Sequence, residues 1–224
     1  MPDIAHTDRT TLLRKPERGV QDRGDIHAIL DEALVCHMAF QVHGQPYAIP
    51  TLFVRVEETL YLHGSPASRA LRTLKQGVPM CVTVTLIDGL VLARSMFHHS
   101  VNYRSVVVLG RASEVTDLTT KEAVLRSLVD HVVAGRASDA RPPTEIELRS
   151  TTVVALPIEE ASAKVRVGPP IDDEEDLGLG VWAGVVPLHL ATAGSPIADP
   201  SLPPEVALPP YLSGLDSRQM SAPA

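Results

Sequence analysis

Apolar residues recur at every second position over several stretches of this chain, and at every third or fourth position over only a few. Alternation places successive side chains on opposite faces of a strand, whereas the longer spacing gathers them on one face of a helix. The strand pattern covers residues 37–42, 47–56, 59–63 and 79–87, then roughly 90–95, 103–115 and 151–158, with 161–167 placed to pair beside the last. Ile26, Ile29, Leu30 and Leu34 predict a short helix from a cap at Asp25 to about Val35. A second helix follows Ser65 as cap and Pro66 as first position, carries Leu71 and Leu74, and leaves at Gly77. A third, with Thr119 and Glu122 as a capping box, buries Val124, Leu125, Leu128, Val129 and Val132 and ends near Gly135; residues 145–149 read as a short helical or irregular segment. Hairpin-linked strands with few helices argue against a doubly wound nucleotide fold. They predict a mainly β protein with peripheral helices, as a small barrel or sandwich.

The pattern breaks most sharply between Asp88 and Arg111. Asp88-Gly89 predicts a tight hairpin, an apolar strand follows, and a cluster of His98, His99, Ser100, Asn102, Tyr103, Arg104 and Ser105 precedes the apolar run 106–109. Such a cluster either satisfies a wide connection locally or forms a sheet rim on which a polar ligand docks. Pro50 cannot donate to a ladder, so the sheet is expected to open near Ile49, Pro50 and Thr51. His63-Gly64-Ser65-Pro66 ends one strand and starts a helix, where Ser68 and Arg69 could hold an anion, although most helix starts meet only water.

Composition narrows the function classes. A net charge of −7 without a basic block makes nucleic acid an improbable partner, and no apolar run is long enough for a bilayer or a signal peptide, so a cytoplasmic protein is expected. Cys36 and Cys81, each in an apolar setting, read as buried thiols; no metal-thiolate cluster, dinucleotide fingerprint, phosphate loop or zinc helix is present. The organisation expected is a polar lead-in over residues 1–24, one domain over 25–190, and a Pro/Ala/Ser-rich disordered tail over 191–224. Trp182, the single tryptophan, either anchors a returning segment or walls a pocket.

Residues 63–77 (HGSPASRALRTLKQG), 88–112 (DGLVLARSMFHHSVNYRSVVVLGRA) and 181–188 (VWAGVVPL), with PYAIP at 46–50, closely resemble the 5-nitroimidazole reductase-like branch of the pyridoxamine 5'-phosphate oxidase-related flavoproteins. The resemblance spans roughly residues 8–190 and implies an FMN-binding split β-barrel that pairs as a homodimer. It implies that Ser68 and Arg69 grip the FMN phosphate with Ser65, that His63, Ile49, Pro50 and Thr51 lie along the ribityl chain or flavin edge, and that Arg94, Asn102, Tyr103 and Arg104 are further candidates. Arg69 stands where many relatives carry lysine, and the C-terminal arginine and histidine pattern that grips a vitamin-B6 substrate is not evident. The implied activity is an FMN-dependent oxidoreductase that takes electrons from reduced nicotinamide and passes them to a small planar acceptor such as a nitro compound. His63, with His98 or His99, would stabilise charge or donate a proton. The alternatives are a flavin carrier or sensor without defined turnover, and a haem protein on the same kind of barrel with a histidine as axial ligand.

Overall fold

The computed structural model describes Ile4 and residues 7–213; the outermost parts of the expected lead-in and tail lie outside the described residues. The lead-in is fastened to the body. Thr7 and Arg9 bond the Glu160 carboxylate, the Lys164 ammonium donates to the Arg14 carbonyl at 2.9 Å, and β1 (Gly19–Val20) pairs with β9 (Glu160–Arg166). α1 (Arg23–Glu32) is capped by Asp22 and not by Asp25: the Asp22 carboxylate accepts from the Asp25 amide at 3.0 Å. Asp25 therefore lies inside the first turn, where its charge suits the positive end of the helix.

Two tight turns set the next three strands. β2 (Val35–Val42) and β3 (Gln45–Val56) meet through His43 and Gly44, at φ 49° and 83°, and β3 reaches β4 (Thr59–Gly64) through Glu57 at φ 51°. Both turns use the left-handed region that short hairpins require. α2 (Arg69–Leu74) starts later than expected, with Ser68 as N-cap, because Ser65 organises a turn of its own: its carbonyl accepts from the Ser68 amide at 2.9 Å and its hydroxyl from the Ala67 amide at 3.2 Å.

Asp88-Gly89 does not close a hairpin. β5 runs unbroken from Pro79 to Leu92, with a bulge between Ile87 and Gly89 where its register against β6 (Ser100–Arg111) shifts. The strand continues because partners flank both halves: β2 along residues 80–83, and β10 (Gly184–Pro187) along 89–92. The true connection is residues 93–99, which holds His98 and His99, while the rest of the polar patch, Ser100 to Ser105, lies in β6. The expected strand 103–115 is divided, since the chain turns at the buried Ala112 and β7 (Ser113–Glu114) pairs with β8 (Thr152–Pro157).

α3 (Leu118–Val132) is capped by Asp117, which takes the Thr120 amide at 2.7 Å, and the reciprocal capping box occurs instead in α5 (Glu145–Arg149), between Thr144 and Glu147. α4 (Arg136–Asp139) lies between these helices. Strand order is β1-β9-β6-β5-β2-β3-β4-β8-β7, with β10 added to β5, and every pair is antiparallel.

This is a helix-decorated split β-barrel. Alternate residues such as Phe53, Leu60, Leu62, Val82, Val84, Val106, Val108 and Leu156 fill it, and Ile26, Leu30, Leu71 and Leu74 close it from α1 and α2. Each such side chain contributes about 1.5–3 kcal/mol by leaving water. Cys36 is wholly buried and burial pushes its thiol up to about 12; Cys81 is only half-buried. Over residues 191–213 the chain forms no strand, and its one helix, α6 (Pro210–Ser213), brings the Tyr211 hydroxyl to Asp139 at 2.7 Å.

Candidate functional site

β3 pairs with β4 only through residues 53–56, so its first half has β2 as its sole neighbour. Pro50 falls in that half, where the missing N–H leaves no unmade ladder bond, and the opening expected around Ile49, Pro50 and Thr51 is where the barrel splits. Arg69, the first residue of α2, reaches back over this edge. Its guanidinium lies 5.3 Å from the centre of the Tyr47 ring and donates to the Tyr47 hydroxyl at 3.1 Å, while Tyr47 stacks on Phe40 with centroids 5.6 Å apart. Arg69 is exposed and meets no carboxylate among the described residues, and the Ser68 hydroxyl caps nothing. One pre-oriented cation with two nearby serines is a donor set suited to a phosphate.

His63 faces elsewhere. Leu60 and Leu62 of β4 point into the core, so Tyr61 and His63 point to the opposite face, beneath α3. There the imidazole lines a cavity of about 340 Å³ with Leu125, Leu128 and Val129 of α3, Ala137 of α4, and the Pro142–Pro143 segment; Arg126, Arg141, Glu122 and Glu147 stand on the same lining. His63 Nδ1 is buried with no hydrogen-bond partner, and burial lowers the histidine pKa, so the ring is neutral at pH 7 with a free nitrogen lone pair. A neutral imidazole can ligate a metal or accept a proton.

The polar patch is largely spoken for. Asp172 takes both the Arg94 amide and its guanidinium, each at 2.9 Å; His98 Nε2 meets Asp173 at 3.1 Å; His99 Nδ1 donates to the Ser95 carbonyl at 2.9 Å. Arg104, buried, is held between Glu32 and Asp88, and Asn102 joins the Gly168 carbonyl to Arg166. Tyr103 is half-exposed, and Trp182 is 66% exposed, folded against Gly184. Arg94, Asn102 and Arg104 thus support the connection from inside. No hydrogen bond or ion pair among the described residues links the patch to Arg69.

Sequence reasoning missed Tyr47, whose partner lies across a strand split, and missed Asp172 and Asp173, which read as part of a solvated acidic run. A larger cavity, about 530 Å³, lies between Asp31–Leu34, Asp130–Val133 and Leu190–Thr192; it contains none of the expected residues, and its Asp31 and Glu32 carboxylates are engaged by Arg55 and Arg104.

Comparison with known proteins draws these features together. The family described as pyridoxamine 5'-phosphate oxidase matches residues 22–165. The chain belongs to the pyridoxamine 5'-phosphate oxidase family. Among solved structures of similar proteins, the flavocytochrome Anf3 from Azotobacter vinelandii is 39% identical, with 93% of this chain and 97% of that chain covered and a TM-score of 0.87. The FAD and heme binding protein from Mycobacterium smegmatis is 36% identical over 89% of this chain and 97% of that one, at a TM-score of 0.84. A proposed 5-nitroimidazole antibiotic resistance protein from Bacteroides thetaiotaomicron shares the fold at 24% identity and a TM-score of 0.56, over 66% of this chain and 86% of that one. None of the curated proteins matches. Within the pyridoxamine 5'-phosphate oxidase family, then, the likeness to the flavocytochrome and to the FAD and heme binding protein extends further along this chain than the nitroimidazole likeness.

Proposed function

We propose that this member of the pyridoxamine 5'-phosphate oxidase family is a redox protein that binds a flavin at the Arg69–Tyr47 edge and a haem against His63. The observation that carries the reading is His63: neutral, half-buried, with Nδ1 enclosed and unpartnered, on the wall of a largely apolar cavity. A haem needs an uncharged imidazole for its iron, apolar walls for its ring and cations for its two carboxylates. The cavity supplies the first two, and Arg126 on its lining supplies a cation, Arg141 being paired there with Glu147. Identities of 39% and 36% to a flavocytochrome and to an FAD and heme binding protein support the same pairing.

For the flavin, Arg69, Ser68 and Ser65 would hold a phosphate, and Ile49, Pro50 and Thr51 would border the cofactor where the barrel opens. The likeness to the FAD and heme binding protein favours FAD, while the grip itself suits either FAD or FMN. When bound, a flavin accepts a hydride and releases electrons singly, and a haem iron takes them one at a time. Reduced nicotinamide is the donor we assign. The chain's own part is to fix both groups and, by enclosing one ring nitrogen, to favour the neutral form of His63. A homodimer is part of the reading: Ile87 and Leu90 of β5, with Val186 and Leu188 of the neighbouring β10 segment, expose apolar surface that a second copy would cover.

The purified full chain, supplied with hemin and FAD, should show a Soret band together with flavin absorption. His63→Ala should lose the Soret band and keep the flavin. A parent protein that takes up flavin but no haem would replace this reading with a flavin-only oxidoreductase, to be tested by anaerobic turnover of nitro acceptors.

A further inference from the structure

Two arginines are buried among the described residues, and their surroundings differ. Arg104 lies between two carboxylates, Glu32 and Asp88. Arg166, only 5% exposed, meets none: its donors reach Asn102 Oδ1, the Gly168 carbonyl at 3.4 Å and the Pro169 carbonyl at 3.3 Å, all neutral oxygens. These contacts aim the guanidinium without neutralising it. A buried charge lacking a counter-charge is strongly unfavourable.

A second cation sharpens the problem. Arg18 immediately precedes β1, and the pairing of Gly19 with Lys164 brings it alongside the end of β9, where Arg166 lies. Arg18 is half-exposed, and its guanidinium has no hydrogen-bond or ion-pair partner among the described residues. Burial first, and then the neighbouring Arg18, press the Arg166 pKa down, and the one group that opposes this is Tyr103, its register partner on β6. Among the described residues no carboxylate forms an ion pair or hydrogen bond with either side chain.

We propose that Arg18 and Arg166 form the cationic wall of a binding site for an oxyanion, a phosphate or carboxylate group carried by a small ligand. Asn102 is its positioning residue: its amide oxygen accepts from Arg166 and its amide nitrogen donates to the Gly168 carbonyl at 3.2 Å, which fixes the fork. Guanidinium groups suit the planar or tetrahedral oxygens of such groups better than a spherical ion. This site is separate from Arg69 and does not depend on the flavin reading.

Isothermal titration of the full chain with inorganic phosphate, and separately with acetate, at constant ionic strength in chloride tests it. The parent should bind phosphate, Arg18→Gln should weaken that binding at least tenfold while its circular dichroism stays that of the parent, and Arg69→Gln should leave one phosphate bound. Acetate binding with the same dependence on Arg18 extends the site to carboxylates, and phosphate binding without acetate restricts it to phosphates. The proposal is overturned if phosphate does not bind, or if the bound phosphate survives Arg18→Gln and is lost in Arg69→Gln.

Discussion

A histidine with a buried, unpartnered nitrogen makes folding sensitive to acid in a definite direction. The folded pKa of His63 lies below the ordinary value, so as pH falls the unfolded chain takes up the proton first. Stability from this group is therefore complete above about pH 6.5, the ordinary histidine value, and is lost as pH drops toward the lowered one. His63→Leu should flatten the fall in melting temperature across that acid range; identical slopes for variant and parent would mean the ring is solvated. At the other site, Arg69→Ala should weaken flavin binding by about 1.5–3 kcal/mol, the usual worth of a charge-assisted hydrogen bond, as read by fluorescence titration. Both residues were legible in the sequence because a strand-to-helix junction marked them. Their separation onto different faces was not, since β4 alternation sends His63 under α3 while the next turn sends Arg69 back to β3.

At the scale of elements, the joint between α1 and the sheet is an ion triad. Arg104 Nη2 donates to Glu32 and to Asp88, each at 2.7 Å, and Asp88 occupies the bulge of β5. Removing the cation alone leaves two partly buried carboxylates facing each other, so Arg104→Leu should destabilise the fold by about 3 kcal/mol in urea unfolding. Gly110 of β6 is a second tight point, because a Cβ there would lie 2.8 Å from Leu156 Cδ1. Gly110→Ala should cost about 1–2 kcal/mol through overpacking.

The strands were readable from alternation, and their main errors share a cause. Asp88-Gly89 has the local chemistry of a turn, but ladders on both sides overrode it, and which strands supply those ladders is not written in the local pattern. The helix starts at 22 and 117 were displaced for a simpler reason, since more than one capping residue stood within reach of each.

For the molecule as a whole, the apolar surface along β5 and β10 is the feature to test. If a second copy covers it, Leu90→Glu should convert a dimer to a monomer in sedimentation velocity; a dimer that persists would place the interface elsewhere. Trp182 offers an internal reporter, since a single exposed indole should shift its emission to shorter wavelength when another subunit covers it.

The C-terminal segment reaches α4. Tyr211 donates to Asp139 and accepts from Arg136 at 3.1 Å, and so ties down the four-residue α4, whose Ala137 roofs the His63 cavity. A chain cut back to Ala193 for convenience of crystallisation would lose that tether. Such a shortened protein should release whatever occupies the cavity faster than the intact one, and stopped-flow transfer of haem to an excess of apomyoglobin would register the difference in off-rate.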